Sequence, residues 1–205
     1  MIVRDGKDSA RRWVTEDARM LPGFEGAFFH GSATEMPDDA PLPVASDVDA
    51  LVVLGDPVPP VKLGTMPYRG VLLDVSALPG NDLQSPDQVL GRYDPAGSFR
   101  RPSVISDPTV RLDALRAAVS PDFAKRRWVA RRCAHARERM LRNLRSADAA
   151  APFHDRVTAW LFATGLTTHI LLVAGLRNPT VRRRYAATRD LLADYGHLSF
   201  FETLL

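Results

Sequence analysis

Asp47 and Asp49 stand one residue apart in Ser46-Asp47-Val48-Asp49-Ala50-Leu51-Val52-Val53-Leu54, a run that is apolar beyond its second aspartate. Along a strand, residues i and i+2 share a face. Both carboxylates therefore project together, while Val48, Ala50, Val52 and Leu54 turn to the opposite face and the core. Two carboxylates side by side repel each other unless a cation lies between them. Hard divalent metals want that oxygen-rich setting, and Mg²⁺ commonly takes one or two carboxylates together with substrate phosphates. Upstream, the apolar run Phe28-Phe29-His30 ends in Gly31-Ser32. Glycine lets backbone approach a ligand closely, and a turn there can aim successive N–H groups at an anion; the serine hydroxyl adds a donor. Phosphate donors beside paired carboxylates point to a nucleoside triphosphate carrying Mg²⁺.

A third acid, Asp74, sits inside Val71-Leu72-Leu73-Asp74-Val75. The spacing predicts a third strand over 68–78, apolar on both faces and so covered on both sides. A carboxylate buried there is costly unless it is paired or bound to metal. A purely structural alternative stays open for each residue. Asp47 would be a strand-start residue, Asp49 a solvated edge position, Gly31-Ser32 an ordinary turn, and Asp74 an acid satisfied by backbone donors or an arginine.

Taken in order, an apolar strand ending in Gly31-Ser32, a Pro- and acid-bearing gap, Asp47-Val48-Asp49 and a strand acid at Asp74 resemble the signature of the nucleotidyltransferase superfamily. That superfamily includes polymerase beta and the aminoglycoside nucleotidyltransferases. The resemblance covers residues 8–80 by motif and the helical remainder by general layout. It implies an α+β fold, with a small mixed-sheet catalytic domain over 1–95 and an all-helical bundle over 105–205. It also implies Asp47, Asp49 and Asp74 as catalytic metal ligands for Mg²⁺, Gly31 and Ser32 as the nucleotide grip, and ATP as the expected co-substrate. Asp74 would complete a second metal site or accept the proton of the attacking hydroxyl. The implied reaction moves a nucleoside monophosphate to a hydroxyl of a small-molecule acceptor. The two-domain layout is similar to the aminoglycoside adenylyltransferases, which makes an aminoglycoside one candidate. Glu35, Asp38, Asp39 and Asp56 on loops are the acids that would receive such a cation. Arginine richness in the second half argues instead for an anionic acceptor. Two alternatives remain: a non-catalytic nucleotide- or partner-binding module of the same fold, and a protein-modifying nucleotidyltransferase. Clustered acids speak against the first, and the long helical half against the second.

Composition bounds these readings. The chain has 205 residues, 45% hydrophobic and 25% charged, enough for one generous domain or two small ones. The net charge of +3 is unevenly spread, with acids concentrated before residue 95 and arginines after 100. A single cysteine, Cys133, excludes an intramolecular disulfide and fits a reducing cytosol. The first twelve residues carry Arg4, Asp5, Lys7 and Asp8 without an apolar core, so no secretory signal is legible. A cytoplasmic location is expected. The apolar run from Trp160 to Leu176 is broken by Thr164, Gly165, Thr167, Thr168 and His169. It falls short of the roughly 20 residues a spanning helix needs and reads as a buried helix, with His169 as a core histidine. No membrane partner is expected, and nothing in the sequence sets the oligomeric state.

Around the motif, Ala10, Trp13, Val14, Ala18 and Leu21 predict an opening helix over 8–21, closed by Pro22-Gly23. Residues 25–30 read as the first strand. Gly55-Asp56-Pro57 and Pro59-Pro60 stop the second. Ser85-Pro86 starts a short helix, and residues 93–107 read as a connection between domains. Helices follow over 107–119 and 122–145, the latter loaded with Lys125, Arg126, Arg127, Arg131, Arg132, Arg137, Arg139, Arg142 and Arg145. Its apolar face is read as a narrow one from Phe123, Ala130, Cys133, Ala134, Leu141 and Leu144, interrupted by Arg127 and Arg137 and widened at its edges by Trp128, Val129 and Met140. The arginines suit nucleic-acid phosphates, a solvated face paired with the acidic half, or a triphosphate. Without interleaved aromatics, nucleic acid is not the expected partner. After Asn178-Pro179 a helix carries Arg182, Arg183 and Arg184, and Ser199 starts one more. Its apolar residues run to Leu205, which suggests a truncated C-terminus or a short helix packed on its predecessors.

Overall fold

The computed structural model describes residues 1–43, 46–58, 63–145, 151–179, 181 and 183–204. Pro59-Pro60, Arg182 and Leu205 lie outside the described residues. The chain separates into two compact units, residues 1–89 with 95–123, and residues 90–94 with 124–205.

The first unit is α+β. Its elements are α1 (Val3–Glu16), β1 (Phe24–Phe29), β2 (Asp47–Leu54), β3 (Thr65–Tyr68), β4 (Val71–Pro79), β5 (Val104–Ser106) and α3 (Arg111–Val119); the short α2 (Pro86–Gly91) precedes β5 and runs into the second unit. The strands form one mixed sheet in the order β3-β4-β2-β1-β5. β2 runs parallel to β4, and the other neighbours are antiparallel.

The opening helix starts five residues earlier than its apolar stripe suggested. Its first turn is held by the loop before β2. The Val3 and Arg4 N–H groups donate to the carbonyls of Ala40 and Asp38, each at 2.9 Å, satisfying donors that a helix N-terminus leaves open. Val3, Ala10, Trp13 and Val14 are buried, and the last three pack on Ala27, Phe29, Val48, Val52, Leu54, Leu73 and Val75 of the sheet. Each valine, leucine or phenylalanine among them contributes about 1.5–3 kcal/mol when fully buried. The expected inward set of β2, Val48, Ala50, Val52 and Leu54, is at most 2% exposed.

The other face is covered toward the C-terminal end of β2. The Phe28 and Phe99 rings meet at 4.9 Å. Gly26 lies so close under Leu112 of α3 that a Cβ there would overlap its side chain. Toward the N-terminal end the same face carries Asp47 and Asp49, both half-buried.

Two expectations are corrected here. The strand predicted over 68–78 is found as β4, starting three residues later, and it is the second arm of a hairpin with the unforeseen β3, turning at Arg69-Gly70 where φ is 47° and 80°. Two consecutive positive φ values make the tight turn whose twist suits a hairpin. β4 is buried on one face only: Leu73 and Val75 are inside, Leu72 and Ser76 outside. Residues 93–107, read as a connection, instead hold β5, which edges the sheet by pairing with β1.

The second unit is all-helical: α4 (Arg126–Arg145), α5 (Phe153–Ala174), α6 (Arg184–Asp194) and α7 (Ser199–Leu204). The buried stripe of α4 is Trp128, Arg132 and Ala136, four residues apart, with Cys133 and Met140 at its edge. Ala130, Ala134 and Leu144, expected inside, are exposed. Arg132 is the surprise of this stripe. It is 2% exposed and donates from Nη1 to the Leu90 carbonyl at 3.2 Å, and burial pulls its pKa down to about 10. Arg127 and Arg131 stack on the Trp128 ring, and Arg139 reaches Asp94 at 3.7 Å. Part of the arginine load is therefore structural.

α5 continues unbroken through Gly165, where the absence of a side chain leaves room for the Arg184 guanidinium. His169 is buried as expected, beside Tyr93 with ring centroids 6.0 Å apart. The reading of α5 as a wholly buried helix holds only for its second half. Phe153, Trp160, Leu161 and Phe162 in the first half are 50–77% exposed. Among the described residues α5 is the one helix long and apolar enough to cross a membrane, a test that core helices of other proteins also pass.

Candidate active site

β2 and β4 build the acidic centre. As parallel neighbours they are in register with Asp49 beside Asp74, and Asp47 lies two residues back on the same face of β2. One carboxylate oxygen from each of the three can be chosen so that all lie within 4.8 Å of one another. The donor set is all oxygen and carries three formal negative charges, and each residue is half-buried. Such a set fits a hard divalent cation and offers no soft ligand for a thiophilic metal.

Gly31 and Ser32 are brought to the same place. β1 ends at Phe29, and the chain turns into a 3₁₀ helix over Gly31–Thr34. The turn is braced by Thr34 Oγ1 donating to the Gly31 carbonyl at 2.8 Å, and by Glu35 and Met36 N–H donating to the Ser32 carbonyl at 3.0 and 3.1 Å. Gly31 has φ +59°, a region glycine enters without penalty. A Cβ at this position would overlap the Asp49 carboxylate. The turn therefore lies directly against the metal-type acid, and Ser32 is exposed beside it. All five residues singled out from the sequence are thus in one neighbourhood.

Three polar side chains that the sequence reading did not single out border the cluster. Thr65 on β3 is the register partner of Asp74, and its Oγ1 donates to Asp74 Oδ1 at 3.2 Å. On the other flank, β1 pairs Phe29 with Ala50, and the next rung is closed by the His30 N–H donating to the Asp49 carbonyl at 2.9 Å. Residues opposite each other in an antiparallel pair share a face, so His30, Asp49, Asp74 and Thr65 form one row across four strands. Ser98 is hydrogen-bonded through Oγ to His30 Nδ1 at 2.8 Å. Alternation alone places His30 on the face of Phe28, but the row exists only through strand register, which no single segment reveals.

Two of the loop acids expected to receive a cationic acceptor are engaged elsewhere. Asp38 is bound by Lys7 Nζ at 2.8 Å, and that hydrogen bond holds its carboxyl below the usual range. Asp56 follows the far end of β2 and accepts from Asn81 Nδ2. Beyond Asp49, β2 runs five further residues to Leu54, about 17 Å at the rise of a strand, before Asp56 is reached.

No protein-family model matches the chain, and no curated protein sequence does. Among solved structures, a nucleotidyltransferase-like protein from Exiguobacterium sibiricum aligns over 97% of this chain and 67% of its own, with 14% identity and a TM-score of 0.42.

Proposed function

We propose that the protein is a Mg²⁺-dependent nucleotidyltransferase that moves a nucleoside monophosphate from a nucleoside triphosphate, ATP in the first instance, to a hydroxyl of a small-molecule acceptor. The observation that carries this reading is the three-carboxylate cluster on parallel strands with a Gly-Ser turn packed against one of its members. Clustered carboxylates without a cation destabilise the fold that holds them, so the cluster is better explained by what it binds.

Asp47 and Asp49 would hold the metal through their oxygens, with Asp74 either completing the site or taking the acceptor proton. Mg²⁺ bound there would neutralise the triphosphate and stabilise the entering and leaving oxygens of an in-line displacement. The Gly31 turn presents backbone N–H groups, and Ser32 its hydroxyl, to the β- and γ-phosphates. The acceptor oxygen forms a bond to the α-phosphorus while the bond to the β-phosphate bridging oxygen breaks and pyrophosphate leaves. The acceptor proton passes to a carboxylate; Asp74 is the candidate, with Thr65 fixing its rotation and engaging one of its two oxygens. The aminoglycoside lean draws no support from Asp38 or Asp56, whose carboxylates are engaged elsewhere, and the acceptor is proposed only as a hydroxyl compound.

Replacing Asp49 by alanine should abolish nucleotide transfer, read as pyrophosphate release, while leaving the circular dichroism spectrum unchanged. Turnover near the wild-type rate in that variant contradicts the proposal.

A further inference from the structure

We infer that Ser98 and His30 form a clamp that positions the Gly31-Ser32 turn over Asp49, making Ser98 a positioning residue for nucleotide binding although it lies far from the motif in sequence. The inference rests on the nucleotidyltransferase reading and deepens it.

The segment 95–106 is fastened to the end of β1 at successive points. The Phe29 N–H donates to the Ser103 carbonyl at 2.8 Å. Ser103 Oγ donates to the Ser98 carbonyl at 2.6 Å, and both serines are 2% exposed. The Phe99 ring packs at a tilt on the Phe28 ring, with centroids 4.9 Å apart. β5 then pairs Val104 with Phe28 and Ser106 with Ala27. Buried serines of this kind are there to be hydrogen-bonded, and the Ser98 hydroxyl spends its bond on the His30 ring.

His30 joins this buried anchor to the site. Its ring is held by Ser98, its N–H by the Asp49 carbonyl, and the next residue is Gly31, whose Cα lies against the Asp49 carboxylate. The turn itself is short and half-exposed, and phosphate-gripping N–H groups act well only when held in place. Cutting the Ser98–His30 bond removes a tie between the last residue before the turn and buried structure beyond β2. The consequence falls on the affinity for the triphosphate more than on the fold.

The test is isothermal titration of the full chain with ATP, GTP, CTP and UTP separately, each with and without Mg²⁺. The variants are Ser98→Ala, Ser98→Thr and, as a stability control, Val119→Ala, which removes buried volume elsewhere in the same unit. The expected result is that Ser98→Ala weakens Mg²⁺-dependent binding of the preferred nucleotide tenfold or more. Ser98→Thr, which keeps the hydroxyl, should restore it to within about twofold. Val119→Ala should lower the melting temperature without changing affinity. If the Ser98→Ala protein is too unstable to titrate, His30→Phe gives the same reading, since it keeps a ring and loses the bond. Wild-type binding with unchanged affinity in Ser98→Ala or His30→Phe overturns this inference alone. An equal loss in Val119→Ala overturns it too, because the effect would then be one of general stability. No Mg²⁺-dependent binding of any nucleotide by wild type overturns the nucleotidyltransferase reading and the clamp with it.

Discussion

Asp49 and Asp74 are register partners on adjacent parallel strands, with one carboxylate oxygen of each inside a 4.8 Å cluster that also takes in Asp47. Parallel pairing of β2 with β4 makes this possible, because it lifts two acids 25 positions apart in the chain to the same height on one face of the sheet. Three carboxylates at such range repel in the absence of a cation.

That repulsion has a measurable consequence. Metal-free Asp49→Asn, which keeps the shape of the side chain and removes its charge, should melt at the wild-type temperature or up to about 4 °C above it, since about 1 kcal/mol moves the midpoint by about 2–4 °C in a chain of this size. Scanning calorimetry in chelator checks this. A fall of several degrees would make Asp49 a structural residue instead.

Gly31→Ala combines two faults. The position has φ +59°, and a Cβ would overlap the Asp49 carboxylate. A left-handed residue other than glycine costs about 1–2 kcal/mol, so the variant should melt about 2–8 °C lower. It should also lose Mg²⁺-dependent nucleotide binding out of proportion to that change, because the new methyl group pushes the carboxylate away. Calorimetry and titration on the same sample separate the two effects.

The second unit carries a pH dependence through His135. Burial, foremost, holds its imidazole below the ordinary histidine range, with Arg92, Arg139 and Arg142 acting in the same direction and Asp94 opposing them. The Tyr93 N–H donates to its Nδ1 across a long 3.5 Å, which needs the neutral ring. As pH falls through about 6.5 the unfolded chain takes up the proton first, so stability declines from there until the lower folded value is passed. His135→Gln should flatten that part of the decline. Urea midpoints at pH 7.5 and 5.5 should differ less in the variant than in wild type.

The site was more legible in sequence than the fold around it. Asp47 and Asp49 announce themselves through i, i+2 spacing in an apolar run, and Gly31-Ser32 through its place at a strand end; both are local signals. Asp74 was found, but its strand was started three residues early and β3 was missed, because Arg69-Gly70 is a hairpin turn made by an arginine in left-handed conformation. His30, Thr65 and Ser98 escaped because their relation to the acids is set by register across four strands and by a segment nearly 70 residues away. In the helical unit, reading the α4 face around its apolar residues misplaced the stripe, which runs through Trp128, Arg132 and Ala136. Arg132 goes inside, where its long aliphatic stem can pack and its head meets a backbone carbonyl.

The central claim is tested most directly by thermal-shift titration with nucleoside triphosphates, with and without Mg²⁺, on wild type and Asp47→Ala. At about 100 times its dissociation constant a ligand stabilises by about 2.7 kcal/mol, about 5–10 °C here. The account predicts a shift of that size for wild type only when Mg²⁺ is present, and none for Asp47→Ala. A metal-independent shift, an equal shift in the variant, or no shift with any nucleotide would contradict it.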